Sequence, residues 1–189
     1  MCAGLGLALV LRTGGIEDAQ LLLDPAALAG LPWYTGLVSN LGVLGWTVAA
    51  VAAAAGARVC ALGDRPSAAR FLRQAALLGG LLTIDDLFLL HSSVFPEAFG
   101  VSQRVILIGY LALAGMWVLG NNVEIRRTRW GLLAAAGCTL AVSVGIDQFA
   151  KTQDWALVAE DTAKFLGIAA WATYFTLTAR DIAESILRS

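Results

Sequence analysis

Apolar residues run along this chain in long blocks, broken at intervals by charges, glycine and proline. A helix crosses hydrocarbon in about 20 residues. Blocks of that size predict an all-α, polytopic transmembrane helical bundle of six spans. The first block, Cys2 to Leu11, is too short to span alone and reads as a short or truncated first helix. An acidic stretch with Glu17, Asp18, Asp24 and Pro25 follows. The second span is predicted from Tyr34 to Ala57. Its tail, VAAVAAAAGA, is rich in small residues that suit close helix contact. Gly63-Asp64-Arg65-Pro66 has the composition of a turn. Further spans are predicted over Ala68 to Phe95, Ser102 to Gly120, Trp130 to Phe149 and Leu157 to Ala179. A short amphipathic helix end, RDIAESILRS, follows the last of them. No linker or internal repeat divides the chain, so 1–189 reads as a single integral membrane domain.

Composition agrees with the block pattern. The 189 residues are 58% hydrophobic and 14% charged, with mean hydropathy +0.73. A soluble domain carries about 25% charged residues. A net charge of -1 without any Lys/Arg block excludes a nucleic-acid partner. Cys2, Cys60 and Cys138 are scattered, without metal spacing, and read as small buried thiols.

Basic residues orient the spans. If six spans alternate, Arg58, Arg65, Arg70, Arg73, Arg126, Arg127, Arg129, Arg180 and Arg188 share one side. Arg12, Arg104, Lys151 and Lys164 fall on the other. Both termini are therefore expected in the cytoplasm, with the protein in the inner membrane and the lipid bilayer as its first partner.

The third block departs most from the pattern. It reads AALLGGLLTIDDLFLLHSSVF, with Asp85 and Asp86 at its centre and the nearest flanking charges, Arg73 and Glu97, each 12 residues from Asp85. Ionised carboxylates at bilayer depth are costly and are rarely present without a partner or a task. Other ionisable residues gather with them at mid-depth or on the outer side: His91, Glu97, Asp147, Glu160, Asp161 and Lys164. The expectation is an outward-facing polar pocket between spans three, five and six. Asp85 and Asp86 would form its floor, with His91, Asp147, Glu160 and Asp161 at its mouth and Lys164 as countercharge. Helical residues advance about 100° per step, which sets His91 about 120–140° around the helix from both aspartates. A straight helix cannot aim all three at one atom, so they need different neighbours or a distortion near Leu90.

Three readings fit these residue types. Asp85, Asp86, His91, Asp147, Glu160 and Asp161 could hold Zn, Mn or Fe. Asp85 and Asp86 would then be the catalytic carboxylates of a hydrolase acting on a lipid-like substrate. Buried carboxylates also serve cation or proton transport. The third reading is structural: an aspartate pairs with Lys164 or Arg104, and Glu160 pairs with Lys164 in the favourable acid-first i,i+4 order. The protein would then be a scaffold, a homo-oligomer or a subunit of a membrane complex. A lone histidine excludes bis-histidine haem ligation within the chain and hydrolases that need several histidines. Ser92 and Ser93 directly follow His91 on the same helix and point away from any Ser–His pairing. No phosphate-cradling or dinucleotide fingerprint is present.

Overall fold

The computed structural model describes residues 25–150 and 152–188. The short first span expected over Cys2 to Leu11 lies outside them, as do Arg12, Glu17, Asp18 and Lys151. Among the described residues every element is helical and there is no strand. In chain order they are α1 (Pro25–Leu28), α2 (Leu37–Leu62), α3 (Pro66–Phe88), a π-helical turn (Leu90–Val94), α4 (Phe95–Phe99), α5 (Gln103–Gly120), α6 (Asn122–Arg126), α7 (Trp130–Phe149) and α8 (Ala156–Leu187). The chain parts into two compact units at Leu37/Val38. The first unit contains α1 and an edge-on Trp33–Tyr34 pair with ring centroids 5.7 Å apart. The second contains the bundle.

By length and composition, α2, α5 and α7 are each long and apolar enough to cross a membrane. A fourth crossing is added if α3 and its bent continuation, Leu90–Phe99, count as one span. α8 is the longest helix, at 32 residues. Its charges fall at Glu160, Asp161 and Lys164 near one end and Arg180, Asp181 and Glu184 near the other, leaving Phe165 to Ala179 uncharged. The limits of α5 and α7 agree with the hydropathy blocks. The third block does not: it is no continuous helix but turns by 61° after Phe88.

Small residues set the distances within the bundle. On α2, Gly42, Ala49, Ala53, Gly56 and Cys60 are buried. A Cβ on Gly56 would stand 2.9 Å from Leu72 Cδ1 and 3.0 Å from Ala179 Cβ, so α3 and α8 both press on this face. Gly79 of α3 likewise lies against Ala50. Aromatic rings fill the centre. Phe71 stacks on Trp117 at 5.5 Å, and Trp171 meets Trp46, Trp117 and Phe175 at 5.8, 5.7 and 5.0 Å. The opposite faces are apolar too. α5 buries only Trp117 and exposes Val105, Ile108, Leu111, Met116 and Leu119. Cys60 is buried as expected, but Cys138 is exposed on the apolar outer face of α7, so burial is not what accommodates that thiol.

At the end of the bundle opposite the broken helix, polar contacts hold the loops. Asn121 donates to Gln74 Oε1 at 2.9 Å. Arg129 Nε donates to Asp181 Oδ2 at 2.9 Å, and this guanidinium holds the Asp181 carboxyl below the usual carboxylate range.

Two glycines separate packing from propensity. A Cβ on Gly167 would lie 2.6 Å from Leu140 Cγ and 2.9 Å from Thr139 Oγ1, whereas a Cβ on Gly137 would meet nothing within 4 Å. Gly167→Ala is expected to destabilise the bundle by about 1–3 kcal/mol through overpacking. Gly137→Ala is expected to stabilise it by up to about 1 kcal/mol through helix propensity. Thermal melts of the two variants in one detergent check the opposite signs.

Candidate polar site at the broken helix

The break is built by a side chain. Leu89 takes left-handed backbone angles, φ 53 and ψ 41, and its N–H caps α3 by donating to the Asp85 carbonyl. This conformation costs a non-glycine residue about 1–2 kcal/mol. The next turn is π-helical, with Val94 N–H donating to the Leu89 carbonyl at 3.2 Å. The His91 N–H finds its acceptor in the Asp85 side chain, at 2.9 Å from Oδ1. Asp85 therefore belongs to the last turn of α3 and also caps the turn that follows. Pro96 sits in the first turn of α4, where its missing N–H does least harm.

That geometry brings His91 back to Asp85. Nδ1 lies 2.5 Å from Asp85 Oδ2. Tyr110 O–H, from α5, donates to Asp85 Oδ1 at 2.7 Å. Asp85 is 3% exposed and its carboxylate is met by three groups. Asp86, one residue on, points elsewhere. Trp46 Nε1 of α2 donates to its Oδ2 at 2.9 Å, and Lys164 Nζ of α8 donates to its Oδ1 at 2.9 Å. A neutral His91 that donates through Nδ1 is left with Nε2 as an acceptor.

The pair thus takes donors from α2, α5, α8 and the chain beyond its own break. The straight-helix obstacle to joining His91 with the aspartates is removed by the distortion at Leu89. Ligand atoms of Asp85, Asp86 and His91 all lie within 4.8 Å of one another. Asp147 and Glu160 line the same cavity, as does Lys164. Asp147 Oδ2 accepts from Gln103 Nε2 at 3.1 Å. Asp161 is exposed and does not line the cavity, so the structure does not bring it into the cluster. Lys164, expected opposite Asp85, Asp86 or Glu160, has Asp86 as its ion-pair partner across the bundle. Ser92 and Ser93 do not line the cavity.

The cavity measures about 290 Å³. One end is polar, with the aspartates, His91, Gln103 and Lys164; the rest is walled by Trp46, Trp117, Leu133, Leu140 and Trp171. Sequence reasoning missed Trp46, Tyr110 and Gln103. Trp46 and Tyr110 counted as apolar residues inside apolar blocks, yet a buried indole N–H or phenol needs an acceptor. That need was the available signal.

Taken together, the fold and site define an all-helical protein with three to four candidate membrane-crossing helices and a polar centre between them. The chain belongs to the family described as Domain of unknown function (DUF8692), whose model matches residues 1–178. No curated protein and no solved structure matches it.

The break makes a local prediction. Asp85→Ala is expected to strand the His91 N–H and speed amide exchange over 89–94. Tyr110→Phe removes one donor from a carboxylate that keeps two, and is expected to cost about 1–3 kcal/mol while leaving that exchange slow. Hydrogen–deuterium exchange in detergent compares the two, and unchanged exchange in Asp85→Ala would refute the capping role.

Proposed function

We propose that this is a six-span protein of the cytoplasmic (inner) membrane with both termini in the cytoplasm, and that its polar cluster is a structural hub on the outer side. The arginine distribution supports the orientation, since basic residues favour the cytoplasmic loops. One observation carries the structural reading. The five groups placed on Asp85 and Asp86 come from four parts of the bundle. A pair of carboxylates so occupied fixes helix register. The protein then acts as a scaffold or subunit, in a homo-oligomer or a larger membrane complex. α5 exposes Val105, Ile108, Met116 and Leu119, and this is the face offered to such a partner.

A metal centre is the second reading, favoured by the three ligand atoms gathered within 4.8 Å. Asp85, Asp86 and His91 would hold the ion, and Asp147 and Glu160 could complete the set. Bound there, a metal would supply a Lewis acid for hydrolysing a lipid-like substrate. Lys164 weighs against it, because the ammonium already stands on Asp86 Oδ1 at 2.9 Å. A dication would have to displace it.

The hub is tested by a double-mutant cycle. Asp86→Asn and Lys164→Met are each expected to cost about 1–3 kcal/mol, with the double variant destabilised by less than their sum, a coupling of about 0.5–3 kcal/mol. Single variants that melt with the wild type would defeat the structural reading.

Elemental analysis decides the metal. Protein purified without chelator is expected to hold no stoichiometric Zn, Mn or Fe. One equivalent that disappears in Asp85→Asn/Asp86→Asn would replace the hub with the metal centre.

A further inference from the structure

The cavity reaches residues on the outer surface of the bundle, which a structural hub does not need. Four of its lining residues are also exposed on the outside of the bundle: Leu111 and Val118 on α5, Gly137 and Ala141 on α7. Leu111, Gly137 and Ala141 lie near the middle of two helices long and apolar enough to cross a membrane. At the other end of the same two helices the gap is tied shut. Gln103 donates to Asp147 at 3.1 Å and Arg104 to Gln148 at 3.0 Å. Between α5 and α7 a way in lies sideways, at hydrocarbon depth, and what enters there is dissolved in the bilayer.

Hydrogen bonding describes the head such a molecule carries. Lys164 faces Asp86, and Asp147 and Glu160 also line the cavity, so the site holds no uncompensated cation waiting for a phosphate. Asp85 and Asp86 are each met by donors, so neither awaits an amine. What the pair leaves over is uncharged hydrogen-bonding capacity. An ammonium has three N–H groups, of which Lys164 spends one on Asp86. His91 Nε2 is free of the Asp85 contact and can accept. A hydroxyl uses both, and a carbonyl uses the first. Trp171 points the same way: it lines the cavity at 6% exposure, and its indole N–H has no acceptor among the described residues. A ligand oxygen supplies one.

We infer that the cavity binds a single-chain lipid with an uncharged hydroxyl- or ester-bearing head, admitted between α5 and α7, with the head at Lys164 and His91 and the chain beside Trp117 and Leu133. The inference goes beyond the scaffold reading and does not depend on it.

Photolabelling in phosphatidylcholine nanodiscs tests it. The probes are three chains of equal length carrying the same diazirine: a monoacylglycerol, a lysophosphatidic acid and an alkyl trimethylammonium. The monoacylglycerol is expected to label peptides of α5 and α7 around Leu111 and Ala141, and excess unlabelled monoacylglycerol to compete. The charged probes are expected to label the same peptides about tenfold less, a difference of about 1.4 kcal/mol. Gly137→Leu and, separately, Ala141→Leu fill the gap between α5 and α7 and are expected to lower the labelling about tenfold without lowering the melting temperature. The space beside Gly137 admits the larger side chain, since nothing lies within 4 Å of its Cβ position. Equal labelling by all three heads, or labelling that survives both variants in folded protein, overturns the inference. Melting in the Asp86/Lys164 cycle reads the hub alone, so either idea can fail while the other stands.

Discussion

The bond on which the rest depends runs from the His91 backbone N–H to the carboxylate of Asp85. A continuous helix would have given that N–H a carbonyl one turn back. Here the helix stops at Leu89, and inside an apolar bundle an N–H without an acceptor is too costly to keep. The carboxylate takes the place of the missing carbonyl and offsets the strain at Leu89. Once that bond is made, the imidazole of the same residue lies beside the same carboxylate. Tyr110 then completes the set from α5. The bend, the position of His91 and the attachment of α5 are three consequences of one side chain capping its own helix's continuation.

Two adjacent aspartates are tolerated because a helix turns about 100° between them. Asp85 looks toward α5 and the break, and Asp86 toward α2 and α8. Each has its own donors, so the like charges do not compete for one site. A pair at i,i+4 would have shared a face and crowded its partners onto one neighbouring helix. Adjacency instead lets a single turn of α3 tie three other helices.

The sequence made some of this legible and hid the rest for physical reasons. Hydropathy placed α7 at its observed limits and α5 to within a residue, because a helix surrounded by apolar contacts shows little but length and composition. The small-residue tail of the second block became the close face of α2, where Ala49, Ala53 and Gly56 are buried. The break in the third block could not be read from punctuation. No glycine or proline stands between Ile84 and Val94, and the cause is a side chain bonded to backbone six residues on. The angle between His91 and the aspartates was the usable clue, since it required a distortion near Leu90. Asp161 was placed in the cluster by proximity along the chain. It sits one step around α8 from Glu160, and that step is enough to turn it outward. Trp46 and Tyr110 were hidden because hydropathy scores the ring and not the N–H or O–H at its tip.

The hub and the cavity use the same atoms at different valences, and this resolves what a charged centre in an apolar bundle can select. Asp85 and Asp86 spend their charge on Lys164 and on four neutral donors, two of them from His91. The donors on Asp85 and Asp86 leave neither carboxylate open to an amine, and the four carboxylates of the lining disfavour a phosphate. The remaining N–H bonds of Lys164 and the second nitrogen of His91 carry direction without excess charge. Discrimination by hydrogen bonding also suits an entrance at mid-span, because a molecule arriving through hydrocarbon has already been filtered for an uncharged head. The bend contributes to the wall through His91 alone: no residue from 92–99 lines the cavity. Its polar end is therefore shaped by Asp85, Asp86 and His91 together with α5, α7 and α8, the helices that the two aspartates and Gln103 hold in place.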